Sequence, residues 1–185
     1  MNIFVVDVDP SVAARQLCDK HIVKMPLETA QMLCTVSWCF GIPAPYKSTH
    51  AKHPCTLWAG ETWTNWDWLV RHGVALCDEY TRRFGRRHGC LTQIFWCSDH
   101  GARPKLTSPS LLTPFAQAMP EQYRGSDAVA AYRAYYIDQK ARFARWRAPS
   151  SPPYWWPLQN DTHGHASTKS TSARDLSVDT GVRPM

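Results

Sequence analysis

The sequence predicts a mainly α-helical fold, with a kinked N-terminal helix, a long central helix and a C-terminal helix in one compact domain over residues 1–157. Three observations predict it. Apolar residues recur at helical spacing in three long stretches, proline and glycine residues mark the boundaries of these stretches, and a length of 185 residues suits a single domain. Residues 158–185 are polar and contain few apolar side chains, so we expect a disordered tail there.

The first predicted elements lie close to the N-terminus. Residues 3–6 form a short apolar, β-branched run, which predicts one strand. Asp9 followed by Pro10 is typical of a helix start, and the helix is predicted to continue to Gly41. Pro26 lies inside this helix and is expected to kink it or divide it in two, because proline removes one backbone hydrogen bond.

Similar signals bound the later helices. A long helix is predicted from about residue 56 to residue 84, with Gly85 ending it. The last helix is predicted to begin at Ser126 or Asp127 and to end near residue 147. Residues 88–120 are predicted to be mixed and proline-rich, and residues 149–157 to form a strap across the body of the protein.

Charge favours an anionic partner. The chain has 21 Lys and Arg residues against 15 Asp and Glu residues, which gives a formal net charge of +6. The charged residues beyond Asn160 cancel one another, so the positive excess lies on the predicted folded domain. Nucleic acid is therefore the first hypothesis for the partner, and the alternative is a basic protein that has no such partner.

Cysteine usage and the absence of a signal-like segment predict a reduced protein in the cytoplasm. The seven cysteines are expected to be free and mostly buried. No run of residues is long or apolar enough to predict a membrane span, so we expect no membrane partner.

Metal and cofactor motifs are weak. Two short motifs could bind zinc, Cys97-x-x-His100 and His50-x-x-His53-x-Cys55, but they do not form a known four-ligand pattern. No sequence context marks a Cys/His hydrolase, and there is no glycine-rich phosphate loop or dinucleotide fingerprint. We therefore assign no metal and no cofactor.

One face of the first predicted helix carries His21, Lys24 and Glu28 at helical spacing, beside Lys20, whereas the opposite face is apolar. Two interpretations remain open. The polar face is either a solvated surface with i,i+4 charge pairs or the wall of an active site. In the second case Glu28 would handle protons, His21 would assist, and the two lysines would hold an anion.

Basic residues are also concentrated elsewhere. A loop contains Lys47, His50 and His53, and loops of this composition favour ligand contact. Arg133 and Lys140 recur at i,i+7 on the last helix and favour contact with a phosphate. The end of the central helix carries four arginines, more than helix capping needs, which favours phosphate contact: Arg82, Arg83, Arg86 and Arg87.

Several motifs resemble a family of small proteins widespread in tailed bacteriophages. They are Asn2-Ile3-Phe4-Val5, Asp9-Pro10, Cys18-Asp19-Lys20-His21-Ile22-Val23-Lys24-Met25, Glu28-Thr29-Ala30-Gln31, Tyr46-Lys47-x-Thr49-His50-x-x-His53-Pro54-Cys55-x-x-Trp58, Gln117-Ala118-Met119-Pro120 and Ala131-Tyr132-Arg133-x-Tyr135-Tyr136. This resemblance implies an amino acid:DNA transferase of thymidine hypermodification. Such an enzyme joins a free amino acid, for example glycine, to 5-phosphomethyl-deoxyuridine in double-stranded DNA and displaces phosphate. It would act in the cytoplasm of the infected bacterial host.

A remoter resemblance is to the pyrimidine-dimer DNA glycosylases of the endonuclease V type, which are compact and helical. It is carried by Asp19-Lys20-His21-Ile22-Val23 followed by Glu28, by His53 before a long helix, and by the aromatic last helix. The nucleophile of that family is the amine of an N-terminal threonine. Here extra residues precede the corresponding place, Asp7 falls near it, and Asn2 disfavours removal of Met1. We therefore expect a glycosylase of this kind to lack its amine.

The residue patterns and the two resemblances together lead to predicted roles for individual residues. The predicted catalytic residues are Glu28, His21 and Asp19. The predicted substrate-binding residues are Lys20, Lys24, Lys47, His50, His53, Arg133, Tyr136 and Lys140. The predicted DNA-binding residues are Arg82, Arg83, Arg86, Arg87 and Trp58.

In this hypothesis Glu28 deprotonates or positions the incoming amino acid, and Lys20, Lys24, Lys47 and His50 stabilise the departing phosphate. Arg133 or Lys140 holds the amino-acid carboxylate, and Trp58 or a tyrosine stacks on an everted base. The alternatives are a glycosylase/lyase and a non-enzymatic basic DNA-binding protein.

Overall fold

Helices make up most of the ordered structure in the computed structural model, which describes residues 1–107 and 111–157. Six α-helices follow one another in these residues: α1 (Pro10–Gln16), α2 (Asp19–Cys39), α3 (Pro54–Ala59), α4 (Trp63–Phe84), α5 (Leu91–His100) and α6 (Ala128–Lys140). Short 3₁₀ turns lie at Arg103–Lys105 and Glu121–Tyr123. The mainly helical fold class is confirmed, and the predicted tail lies outside the described residues.

The predicted N-terminal strand is wrong. Residues 3–6 are buried but have no strand partner, and the isolated bridge in the described residues joins Thr62 to Thr107. The segment is instead held by the side chain of Asn2, whose Oδ1 accepts hydrogen bonds from the backbone N–H groups of Ile3 (2.8 Å) and Phe4 (2.9 Å). Apolar composition therefore reflected burial of this segment and not sheet pairing.

The predicted N-terminal helix is two helices, and the break is not at Pro26. Asp9 caps α1 as predicted, accepting from the backbone N–H groups of Ser11 and Val12. The chain leaves helical geometry at Leu17 and Cys18, where the Cys18 N–H donates to the Tyr136 hydroxyl at 3.0 Å. Helix α2 then continues through Pro26 to Cys39, because burial of the apolar face stabilises the helix more than one missing hydrogen bond destabilises it.

The predicted central helix is also divided. Gly60 ends α3, and the Thr62 side chain caps α4 by accepting from the Asn65 N–H at 3.1 Å. Helix α4 ends as predicted at Gly85, which adopts a left-handed conformation with φ of 70°. Helix α5 was not predicted, and it packs against α2 and α4.

The core forms where α1, α2, α4 and α5 meet. Gly73 of α4 allows close approach, because a Cβ atom there would lie 2.6 Å from Thr29 Cγ2 of α2. All seven cysteines are free and all except Cys39 are buried, as predicted. The sulfur atoms of Cys34 and Cys97 lie 3.6 Å apart between α2 and α5.

The C-terminal helix and the segment after it cover one side of this core. Asp127, one of the two predicted caps, caps α6, but the helix ends at Lys140 and not near residue 147. Residues 149–157 have no helix or strand, and Trp155 Nε1 donates to the Gln16 side chain of α1 at 2.6 Å. This segment therefore crosses the body of the protein, as the sequence predicted. Within the described chain, no helix has the length and apolar character needed to cross a membrane.

Candidate active site

The chain start lies beside the carboxylate of Glu28. The Asn2 N–H donates to Glu28 Oε2 at 2.8 Å, and the amine of Met1 lies 3.9 Å from the same oxygen. The Asn2 side chain also donates to the backbone carbonyl of Ala118 at 2.8 Å, which ties the first residues to a distant loop. The sequence led us to expect no amine at this site. In the structure the amine of Met1 lies next to the carboxylate of Glu28.

Glu28 is mostly buried, with a side chain that is 9% exposed, and it is surrounded by positive charge. Its Oε1 forms an ion pair with Lys24 at 3.0 Å, one helical turn away. An acid that is hydrogen-bonded on one oxygen and ion-paired on the other is fixed in position. Lys24 and Glu28 thus form an i,i+4 charge pair, as the solvated-surface interpretation predicted. Glu28 and His21 are nevertheless buried, so this part of the helix face is not a solvated surface.

A polar cavity of about 220 Å³ opens at these groups. Its walls come from three parts of the chain: the N-terminal segment, α2, and the region around α6. The lining residues are Met1, Asn2, Phe4, His21, Lys24, Met25, Glu28, Ala118, Tyr135 and Lys140. The cavity is smaller than the roughly 300–1,000 Å³ of typical small-molecule sites, so it suits one reacting group and not a whole nucleotide.

Phe4 occupies an unusual backbone conformation in this wall. Its φ is +39°, a left-handed geometry that a phenylalanine rarely adopts. The ring stacks on His21 with centroids 4.4 Å apart and planes 17° apart. Backbone strain of this kind is concentrated at functional sites, where the surrounding structure has to hold it.

His21 is an uncharged member of the cavity. Burial lowers its pKa to about 3, and the nearby positive charges of Lys140 and Lys24 act in the same direction. Its Nδ1 lies 2.6 Å from the Tyr136 hydroxyl. Tyr136, predicted to bind substrate, is completely buried and reaches the cavity only through this hydrogen bond.

Lys140 approaches the cavity from the end of α6. Its Nζ lies 3.3 Å from the Tyr135 hydroxyl and 5.7 Å from the centre of the Phe4 ring. Lys24 of α2 lines the same cavity beside Glu28. Two ammonium groups around one small polar cavity favour a ligand that carries negative charge.

His53 is close to the same charges. Burial lowers its pKa, and the positive charges of the chain's amino terminus and of His50 lower it further, whereas Glu28 raises it. Its ring caps α3 by accepting from the Cys55 N–H at 3.2 Å. Lys47 and His50, the other predicted loop residues, are exposed and do not line the cavity.

Three predicted site residues lie elsewhere. Asp19 is bound to Arg83 at 3.0 Å and accepts from the Arg147 N–H, so it fixes the start of α2 and does not reach the cavity. Lys20 lies over the Phe143 ring on a separate surface groove. Arg133 donates to the Val6 carbonyl at 2.8 Å and contacts Asp7 at 3.4 Å, which leaves Lys140 as the cation of α6 at the cavity.

Some of the predicted DNA-binding residues are buried and others are exposed. Arg83 has a completely buried side chain, bound to Glu79 at 2.6 Å, so assigning it to phosphate contact is incompatible with the structure. Trp58 is 2% exposed and packs against Trp68 and Phe115, so it cannot stack on a base. Arg82, Arg86 and Arg87 are exposed, although Arg82 also contacts Glu79 and Ser150.

The sequence did not identify the backbone of the first residues, Ala118 or Tyr135 as parts of the site. The spacing of His21 and Glu28 predicted only that these two side chains share one face of α2. Seven residues place them about 10 Å apart along the helix axis. A larger cavity of about 480 Å³ lies within residues 144–157, but Arg145 is the only charged residue among those described around it. That cavity has no acid to pair with a base, so the site at Glu28 is the stronger candidate for catalysis.

Comparison with known families gives a match that covers the N-terminal part of the chain. Residues 1–92 match the family model described as pyrimidine dimer DNA glycosylase. The match includes Glu28, His21 and His53, and it ends before α6 brings Lys140 and Tyr135 to the cavity. It indicates a DNA-acting, glycosylase-like function. No curated protein and no solved structure matches the chain.

Metal binding has no support in the described residues. Residues 1–107 and 111–157 contain no group of three or more His, Cys, Asp or Glu side chains placed to hold a metal ion. The two short Cys/His motifs are therefore not assembled into a metal site within that part of the chain.

Proposed function

We propose that the protein is a DNA glycosylase that acts on pyrimidine dimers, with the amine of the first residue as nucleophile and Glu28 as its acid/base partner. The observation that carries this proposal is the distance of 3.9 Å between the Met1 amine and Glu28 Oε2. The family match over residues 1–92 supports the same reaction class.

The groups at the cavity suit this chemistry. The amine, once it has lost a proton to Glu28, attacks C1′ of the deoxyribose, and the glycosidic bond breaks with its electron pair leaving on the base. The base takes up one proton at N1, the sugar ring opens, and O4′ takes up another. These are the two protons that the ammonium loses, one of them by way of Glu28, so the nitrogen keeps one hydrogen and forms a protonated imine with C1′. A cavity of about 220 Å³ admits the sugar carbon and its neighbouring phosphate while the base remains outside.

The two lysines supply the charge that the DNA backbone needs. Lys24 and Lys140 both line the cavity, and a phosphate beside the reacting sugar would bind near them. Exposed Arg86 and Arg87 at the end of α4 add positive charge elsewhere on the surface. Charge of this kind provides affinity and orientation without reading sequence.

The test uses duplex DNA that contains one cyclobutane pyrimidine dimer. We expect abasic sites or nicks at the dimer, and we expect sodium borohydride to trap a covalent protein–DNA complex by reducing the imine. Undamaged duplex of the same sequence should give neither product. Absence of both cleavage and trapping on dimer DNA would overturn the proposal.

A chain extended by two residues before Met1 is the matched control. The extension moves the amine away from Glu28 and leaves every side chain unchanged. It is expected to bind DNA with the affinity of the original chain but to form no trapped complex. Trapping of the extended chain in equal yield would exclude the N-terminal amine as the nucleophile.

An amino acid:DNA transferase is the second candidate. It is favoured by the pairing of Lys24 with Lys140 around a small polar cavity, since a phosphomethyl group or an amino-acid carboxylate would suit the two cations. In this reaction the amine comes from a free amino acid, Glu28 takes its proton, and phosphate leaves. Incorporation of labelled glycine into DNA containing 5-phosphomethyl-deoxyuridine, without borohydride trapping, would favour the transferase over the glycosylase.

A further inference from the structure

Tyr136 and His21 form a buried pair behind the cavity wall. The Tyr136 side chain is completely buried, and its hydroxyl has two close polar partners. The Cys18 N–H lies at 3.0 Å and His21 Nδ1 lies at 2.6 Å. Hydrogen atoms are assigned from such partners, so this pair is the basis for assigning the proton of His21 to one ring nitrogen.

The bond directions follow from what each group can do. A backbone N–H only donates, so Cys18 occupies a lone pair of the Tyr136 oxygen. The Cys18 side chain also interacts with the Tyr136 hydroxyl, but its sulfur is a weak acceptor. The single hydroxyl proton is therefore assigned to the imidazole nitrogen at 2.6 Å. This assignment leaves His21 Nδ1 unprotonated.

Both members of the pair are uncharged. Burial raises the pKa of Tyr136 well above its ordinary value, and burial together with Lys140 and Lys24 lowers the pKa of His21 to about 3. A neutral imidazole carries one N–H, so a His21 ring that accepts at Nδ1 must donate at Nε2. Phe4 stacked on one face and Phe143 with its centroid 5.8 Å away at the edge hold the ring in place.

We propose that Tyr136 is a positioning residue that fixes His21 as the Nε2–H tautomer, so that His21 serves the cavity as an uncharged hydrogen-bond donor to an anionic oxygen of the substrate. Nδ1 is occupied by Tyr136, and His21 lines the cavity. Lys24 and Lys140 flank it and favour a negatively charged acceptor such as a phosphate oxygen. His21 then neither gives nor takes a proton, contrary to the acid/base assistance predicted from the sequence.

The identity of the oxygen rests on the proposed action on DNA, but the tautomer does not. The tautomer is measured on the free protein, from the long-range ¹H–¹⁵N correlations of the His21 ring. We expect an unprotonated Nδ1 and a protonated Nε2 throughout the range of about pH 5 to about pH 8, in which an ordinary histidine titrates. Protonation at Nδ1, or titration within that range, would overturn the proposal without bearing on glycosylase activity.

Two matched variants separate positioning from packing. Tyr136→Phe and Tyr132→Phe each remove one buried hydroxyl from α6, but the Tyr132 hydroxyl binds the Ala116 carbonyl and the Ala118 N–H and does not contact His21. Tyr136→Phe is expected to produce a mixture of His21 tautomers, whereas Tyr132→Phe should keep the original pattern. Identical His21 spectra in the original chain and in Tyr136→Phe would overturn the role of Tyr136.

Inorganic phosphate tests the acceptor. In the original chain it is expected to shift the His21 Nε2–H resonance, and Tyr136→Phe should weaken phosphate binding about tenfold, the effect of misdirecting one hydrogen bond to a charged group. No shift at His21 at saturating phosphate would overturn the anionic-oxygen assignment. Because this measurement needs no DNA, its outcome is distinguishable from failure of the glycosylase proposal.

Discussion

Glu28→Gln is expected to lower the rate of base excision by about 10²- to 10⁴-fold, the contribution of a positioned general acid/base. The amide keeps the size of the carboxylate and can still accept from the Asn2 N–H, so the fold of the N-terminal segment should persist. It cannot take a proton from the Met1 amine. Single-turnover cleavage of dimer-containing duplex measures the loss, and circular dichroism checks the fold.

Glu121→Gln is the control for this change. Glu121 is exposed in the 3₁₀ turn Glu121–Tyr123 and does not line the cavity, so its rate should match that of the original chain. DNA affinity should be nearly the same for both variants, because neither change removes a cation. A Glu28→Gln rate within about threefold of the original would remove Glu28 from the reaction, since such a change is far below the acid/base contribution.

Arg83→Met is expected to destabilise the fold by about 3–5 kcal/mol, the loss measured when one partner of a buried ion pair is removed. The Arg83 guanidinium binds Glu79 at 2.6 Å, Asp19 at 3.0 Å and the Arg15 carbonyl at 2.9 Å, so its removal leaves two carboxylates without their buried cation. Burial raises the pKa of Glu79, but hydrogen bonds from Arg82, Ser150 and Arg83 outweigh this and hold it below the ordinary value. Urea denaturation measures the change.

Arg87→Met distinguishes this structural role from DNA binding. Arg87 is exposed at the end of α4, so its loss should change stability by less than about 0.5 kcal/mol. If Arg87 contacts a phosphate, its loss lowers the salt dependence of DNA binding by about one unit of slope. An Arg83→Met protein as stable as Arg87→Met would contradict the buried network.

Local sequence signals predicted those helix ends that are stabilised by residues at the ends themselves. Asp9, Asp127 and Gly85 each satisfy helix ends through their own side chain or backbone, and each was placed correctly. The break before α2 depends on Tyr136, a residue far away in the chain, so no local pattern marks it. Helix α5 was missed because its boundaries carry no side-chain cap.

The candidate site likewise has features that a local pattern predicts and features that depend on distant parts of the chain. The spacing of His21 and Glu28 on one helix face was sufficient to predict a shared wall. The amine was not predicted, because this chain has more residues before α2 than the glycosylases it resembles. The sequence alone did not show that the first residues contact Glu28 and Ala118 through Asn2. Residue type and charge also could not show which basic residue of α6 lines the cavity. Lys140 lines it, whereas Arg133 binds Val6 and Asp7.

The attachment point of DNA on the protein tests the central claim most directly. The borohydride-trapped complex is digested with a protease, and mass spectrometry locates the sugar on the protein. Among the described residues, the amines at the cavity are those of Met1, Lys24 and Lys140. We predict that the sugar is attached to the α-amine of the first residue, beside Glu28. Attachment to the side chain of Lys24 or Lys140, or failure to form any adduct with dimer DNA, would contradict it.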